Sequence, residues 1–481
     1  MSRWGTLEQS WREESAARAE GIAAELAARG VHGVAVTWVD NSGITRVKAV
    51  PVEKLARAAA WGIGVSPCFD TFLLDDSAAV ARYAGGPVGD LRLMPDLDRL
   101  TPLAGQPGWA WAPADRFRQD GSVHPIDQRS LARREVERLA ADGYAVRAAF
   151  EVEWCVSLGH GDEFEPACAG PAYGMARLIE QSDYVRDVMD ALAAQGLTVD
   201  QIHPEYAAGQ YEVSVAAQDP VGAADTLVLV RETIRAVSHR NGLRATFSPK
   251  VLAGGVGNGG HVHLSLWSAG AGEGEGEGAQ PARGDGVRNL MSGGSGRFGL
   301  TGQGEAFAGG LLAHLPALLA LGAPAVASYL RLIPSHWAGA YACWGLENRE
   351  AALRFVTGST GDGARAANLE LKCFDAAANP YLLIAGLLAA GRAGLAAGAK
   401  LPEPVDVDPA TLPADEATRR DVRALPSSLE GAVAAFEADE VLAEAFGIEF
   451  IDTIATVRRA EIALFADASP QDVVERTRWR H

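Results

Sequence analysis

The order of apolar and polar positions divides the chain into helical and extended runs. Apolar residues recur at helical intervals from Glu8 to Arg29, which predicts an amphipathic helix closed by Gly30. Val34–Trp38 and Thr45–Val50 read as strands around the turn Asp40-Asn41-Ser42-Gly43, so a hairpin follows. A small mixed unit runs to about Leu103, and a Pro/Trp segment fills 102–113. A boundary is expected near 115–125. Beyond it, Ser130–Asp142 is helical and Ala145–Val156 extended. Ala176–Gln195 is helical, 202–216 extended, and Pro220–His239 a long helix. Val262–Trp267 alternates as a strand does, and Ala306–Leu321, Ala378–Ala397 and Leu429–Phe446 are Ala/Leu-rich helices. Residues 268–299, with Gly-Glu-Gly-Glu-Gly-Glu-Gly, predict a flexible Gly-rich loop with no packed core of its own. The expected units are an N-terminal helix at 1–29, a small domain at 30–115 and a large one at 121–481.

At 481 residues the chain suits two domains, and its 48% hydrophobic and 22% charged content is that of a globular protein. A net charge of -18 repels phosphate backbones, so nucleic acid is not an expected partner; plain solubility accounts for the acidity equally well. No apolar run is read as approaching the roughly 20 residues of a membrane helix, and the N-terminus has no signal-like segment. The cysteines, Cys68, Cys155, Cys168, Cys343 and Cys373, are scattered without CxxC spacing, which argues for a reducing cytoplasm and against disulfides or zinc.

Four islands carry chemistry. In Ala149-Phe150-Glu151-Val152-Glu153-Trp154, a strand aims both carboxylates into one space, where they repel unless a cation intervenes; a solvated strand face is the plain alternative. His203-Pro204-Glu205-Tyr206-Ala207-Ala208-Gly209-Gln210-Tyr211-Glu212 adds two carboxylates around a turn, or is a hairpin with exposed acids. Gly257-Asn258-Gly259-Gly260-His261-Val262-His263-Leu264-Ser265 runs a Gly-rich loop into a strand with His261, His263 and Ser265 on one face, a candidate for metal or phosphate. The fourth island gathers Arg331, Arg349, Arg354 and Lys372 with Glu370; Arg suits carboxylate and phosphate, although structural ion pairs would use the same residues. Oxygen-rich ligands favour Mg²⁺ or Mn²⁺ over zinc. With no Walker A sequence and no GxGxxG after a strand, the remaining reading is a metal-bridged site for ATP and an anionic substrate.

In this order and spacing the islands resemble the glutamine synthetase family, type I form, from about residue 30 to the C-terminus. The resemblance implies an α+β fold: a small N-terminal β-grasp-like domain and a large catalytic domain of antiparallel sheet with flanking helices. It implies two Mg²⁺ or Mn²⁺, one on Glu153, Glu205 and Glu212, the other on Glu151, His261 and Glu370. His263 and Ser265 resemble the nucleotide side, with Asp200 near the ribose. Arg349 and Arg354 resemble phosphate-binding arginines, and Lys372 stands where the family has Arg. Arg331 resembles the holder of the glutamate carboxylate, with Gly257 contributing backbone and Val256 replacing an Asn. ATP would phosphorylate the γ-carboxylate of glutamate, and an amine would displace the phosphate. A cytoplasmic homo-oligomer, often a dodecamer of two stacked hexamers, is also implied.

The departures concern ammonia. Where the family's flap carries a Glu that takes the ammonium proton, this chain has Trp337, after Ser335-His336. The Asp of the family's ammonium loop has no counterpart in Trp61–Cys68. Trp337 and His336 therefore line the expected amine pocket, and an indole face suits an alkylammonium. The expectation is a glutamate–amine ligase, of the kind acting on polyamines or ethanolamine. The alternatives are glutamine synthetase itself, using ammonia, and a catalytically silent scaffold or regulatory protein.

Overall fold

The computed structural model describes residues 7–268 and 287–481. Two sheets organise it. The smaller comprises β1 (Gly33–Val39), β2 (Thr45–Pro51), β3 (Ile63–Val65), β4 (Leu91–Pro95), β5 (Thr101–Pro102) and β6 (Trp109–Phe117), in the order β2-β1-β6-β4-β3 with β5 on β6. The larger comprises β7 (Tyr144–Leu158), β8 (Val199–Pro204), β9 (Gln210–Val215), β10 (Leu243–Thr246), β11 (Gly260–Ser268), β12 (Tyr341–Leu346), β13 (Ala351–Val356), β14 (Asn368–Leu371) and β15 (Arg423–Ala424). Its order is β15-β12-β13-β14-β11-β7-β9-β8, with β10 on β7. The pairing is antiparallel apart from β12 with β13; in the smaller sheet β1 with β6 is also parallel.

β7 shows why the large sheet forms. Val146, Ala148, Phe150, Val152, Trp154 and Val156 alternate along it and are buried in the main core. The intervening positions, Glu151 and Glu153 among them, face the other way. Against the core face lie the helices Gln128–Ala141 and Pro220–Arg240, and Pro380–Ala397 packs on both of them.

Several boundaries differ from the sequence expectation. The Pro/Trp segment, given no element by the sequence, runs into Trp109–Phe117, the buried central strand of the small sheet. The helix expected over 176–195 breaks at Gln181, and that expected over 429–446 breaks at Asp439, which caps the second half. The N-terminal helix buries only Ala19 and Leu26, so its apolar stripe is narrow. The expected Gly-rich loop at 268–299 departs from the structure at its C-terminal end. Its stretch 269–286 lies outside the described residues, but Leu290 and Met291 belong to the main core. Two helices, Gly302–Gly322 and Pro380–Ala397, are long and apolar enough to cross a membrane, contrary to the sequence reading. They pack on each other inside the protein, where an all-round apolar surface is what burial requires.

The turn Asp40–Gly43 is buried rather than solvated. Asp40 Oδ1 accepts from the Ser42 and Ile44 N–H groups, fixing the turn. Asn379 Nδ2 donates to the Val39 and Asp40 carbonyls, and Arg458 donates to the Asn41 carbonyl at 2.6 Å. A Cβ on Gly43 (φ +77°) would meet the Ala377 carbonyl oxygen at 1.8 Å, so only glycine allows this contact. The small sheet is thereby plugged into the segment that follows β14.

Candidate active site

Register builds the site. Strands β14, β11, β7, β9 and β8 are consecutive neighbours, and directly opposed residues share a face. His263 lies opposite Glu370, His261 opposite Glu151, Glu153 opposite Glu212, and Glu212 opposite His203. Five strands thus set acids and imidazoles side by side on the face away from the core. A one-residue slip of any strand would turn its contribution inward.

The contacts are close. His261 Nδ1 lies 2.9 Å from Glu151 Oε2 and 3.4 Å from Glu370 Oε1, and its Nε2 lies 3.7 Å from Glu153. His263 Nε2 is 3.7 Å from Glu151. His203 Nε2 is 3.1 Å from Glu212, and its Nδ1 is 3.7 Å from Glu205. Three groups bring ligand atoms within 4.8 Å of one another: Glu151, Glu212 and His261; Glu151, His263 and Glu370; His203, Glu205 and Glu212. The residues of both expected ligand sets therefore meet in one basin. His263 also approaches Glu151 and Glu370.

Sequence reading passed over two organisers. His203 stands in the second island with no role of its own, although its alternation with Glu205 on an extended segment puts both on one face. Gln210, fully buried, donates to Glu153 Oε2, to the Gly257 carbonyl and to Asn258 Oδ1, each at 3.0 Å. With the Gly259 N–H at 2.8 Å, it fixes Glu153. The glycines are needed for room. A Cβ on Gly259 would sit 2.6 Å from His261 Nε2, and one on Gly257 would sit 2.7 Å from Arg331 Cγ.

The cationic rim sits on the β13–β14 side. Lys372, buried, holds Glu370 Oε1 at 3.0 Å, and Arg354 holds Glu370 Oε2 at 2.8 Å while also pairing with Glu347. Arg331 donates to the Lys372 carbonyl at 3.1 Å and approaches His261 Nε2 at 3.4 Å. Arg349 is exposed in the turn between β12 and β13, and Asp200 is exposed on β8. Ser265 is buried, and its hydroxyl accepts from Trp267 Nε1. Trp337, on the flap, has φ +54° and is 54% exposed, and His336 beside it is exposed. Asp70, two residues past the Trp61–Cys68 stretch, is buried against Arg116 and His124 and is committed to the fold.

The charge is unevenly relieved. Burial would raise Glu151, but hydrogen bonds from His261 and His263 hold it far below the usual carboxylate range. Burial likewise opposes ionisation of Glu370, and Lys372 with the two histidines outweighs it. Burial and the charges of Glu151 and Glu153 push Glu212 up to about 8, against the pull of His203. His203 rises to about 9 through its bond to Glu212, and Glu205 is raised by burial and Glu153. A buried, oxygen-rich basin whose charge is only partly compensated fits a hard divalent cation such as Mg²⁺ or Mn²⁺.

Known proteins resemble this chain over most of its length. A model of the glutamine synthetase catalytic domain matches residues 125–476. The gamma-glutamylpolyamine synthetase GlnA3 of Streptomyces coelicolor is 54% identical over 467 residues, covering 96% of this chain and 97% of its own. The glutamine synthetase of Pyrococcus horikoshii is 30% identical over 457 residues, covering 93% and 94%. A crystal structure of a novel glutamine synthase homolog superposes with a TM-score of 0.80 at 34% identity, covering 94% of this chain and 99% of its own.

Proposed function

The chain belongs to the glutamine synthetase family and is an ATP-dependent acid–amine ligase, and we propose that it joins the γ-carboxylate of glutamate to a polyamine. The observation that carries the choice of amine is the likeness to GlnA3, 54% identical over nearly the full length of both chains. Trp337 supports it independently, because an indole cannot deprotonate ammonium but can cover an alkyl chain and face its charge.

Glutamate is seated with its carboxylate on Arg331, whose guanidinium is braced by the Lys372 carbonyl. Glu151, Glu153, Glu205, Glu212, His261 and Glu370 hold two divalent ions, with His203 and His263 adjoining. The chemistry supplied there is neutralisation of charge on the phosphates during transfer to the γ-carboxylate. Arg349 and Arg354 carry part of the same load from the rim, and Arg349, exposed and without an ion-pair partner among the described residues, is free to swing onto phosphate. His263, Ser265 and Asp200 flank the nucleotide. Lys372, a single ammonium without the guanidinium fork, positions Glu370. Gly257 lets the loop approach Arg331. The chain works as a homo-oligomer in the cytoplasm, and a dodecamer is the expected form.

The test is a coupled assay with ATP, Mg²⁺, glutamate and a panel of diamines, polyamines, ethanolamine and ammonium. ADP release is expected with the polyamines. Release with ammonium and with none of the organic amines would overturn the assignment.

A further inference from the structure

The flap has lost its carboxylate in sequence, yet a carboxylate stands beside the same residue in space. Glu350, just before β13, accepts the Trp337 backbone N–H on Oε1 at 2.7 Å. It is only 8% exposed, and no Lys, Arg or His among the described residues forms an ion pair with it. The flap is pressed onto this place: a Cβ on Gly339 (φ +70°) would lie 3.0 Å from both Ala352 Cα and Lys372 Cβ. Lys372 in turn touches Glu370 through its ammonium and Arg331 through its carbonyl. The flap that Glu350 anchors thus leans on Lys372, whose carbonyl braces the arginine that seats glutamate.

The groups facing Glu350 are Asp408 from the 405–409 loop, His336 from the flap, Lys372 at the end of β14 and Cys343 on β12. Asp408 accepts the Ser335 hydroxyl at 2.7 Å, which brings a second acid to the flap. Burial raises the Glu350 carboxyl, Asp408 raises it further, and the Trp337 N–H, His336 and Lys372 only partly offset this. A carboxylate in such surroundings is a stronger proton acceptor than a solvated one.

We propose that Glu350 replaces the missing flap carboxylate, receiving the ammonium group of the amine and accepting its proton before attack. This rests on the amine-ligase reading above. The first proton passes from R–NH₃⁺ to Glu350 and then to solvent. The freed R–NH₂ attacks the carbonyl carbon of the γ-glutamyl phosphate and forms the C–N bond. The C–O bond to phosphate breaks with its electron pair on phosphate, which leaves carrying the second nitrogen proton.

Glu350→Gln is the decisive variant, since its amide oxygen still accepts the Trp337 N–H and the flap keeps its anchor. Its kcat/KM with a polyamine is expected to fall about 10²-fold. Hydroxamate formation from hydroxylamine, which is largely unprotonated at neutral pH, is expected to fall far less. Raising the pH should recover amine turnover in the variant by about tenfold per unit, as free amine accumulates. Equal losses with both nucleophiles, or polyamine kinetics like the wild type, would overturn the role of Glu350. A wild type active only with ammonium would instead overturn the choice of amine, and ammonium against hydroxylamine would still decide the role of Glu350.

Discussion

At the scale of single residues, the basin is held together by unequal sharing of few cations among many acids. Glu151 commands two histidines, whereas Glu212 has His203 and lies against two other carboxylates. Adding Mg²⁺ or Mn²⁺ should therefore raise the melting temperature, because the bound ion removes repulsion present in the fold and absent from the unfolded chain. Glu151→Gln should shift the metal concentration needed for this effect upward by at least about tenfold, read by calorimetry without any turnover. A melting temperature indifferent to either metal would contradict the two-ion assignment. Trp337 makes a different claim. Trp337→Ala should raise the KM for a polyamine about tenfold and alter kcat less, since the ring binds substrate without taking part in bond making. An unchanged KM in steady-state assays would remove the indole from the amine site.

The elements themselves were largely legible, because β7, β11 and the Ala/Leu-rich helices carry their period openly. The first three islands also point to acids and histidines, since Glu151 and Glu153, His203 and Glu205, and His261 and His263 stand two apart on extended segments. What sequence could not supply is the pairing. That His263 sits opposite Glu370, and so joins the acidic basin, depends on a β11–β14 register set by residues more than a hundred positions apart. Gln210 and Glu350 look like ordinary polar residues until their neighbours are known. The long apolar helices were misjudged for a related reason: glycines interrupt the runs, and those glycines are contact points. A Cβ on Gly394 would meet the Ala306 carbonyl oxygen at 2.2 Å and Gly310 Cα at 2.6 Å, so the helices Gly302–Gly322 and Pro380–Ala397 touch there backbone to backbone. Gly394→Ala, neutral or favourable in an isolated helix, should cost about 1–3 kcal/mol here, measured by urea unfolding. A gain in stability would mean the helices can separate at no cost.

Over the whole molecule, the two sheets are bound into one cooperative body by buried charge. Arg129, on the helix Gln128–Ala141, reaches Asp115 on β6, Asp96 beyond β4 and Asp225 on the helix Pro220–Arg240, at distances from 2.7 to 3.1 Å. Tyr381 completes the cluster by donating to Asp225 at 2.7 Å. Arg129→Leu removes the cation shared by all three carboxylates, leaving Asp115 to Arg133 and Asp225 to Arg99 and Tyr381, and should cost about 3–5 kcal/mol. The loss should appear as one unfolding transition at lower urea, followed both by tryptophan fluorescence and by circular dichroism. Two separated transitions would show that the small sheet and the large one melt independently.

The buried turn at Asp40–Gly43 has a consequence for how the protein is made. Its partners Asn379 and Arg458 lie 340 and 417 residues downstream of the carbonyls they cap. At about 5–20 residues per second, a ribosome needs roughly 20–80 s between synthesising that loop and delivering Arg458. Throughout that interval the first-made hairpin waits with its tip unsealed, so a chaperone that shields it has most to do early in translation, and premature truncation anywhere before the last helices leaves the same tip open.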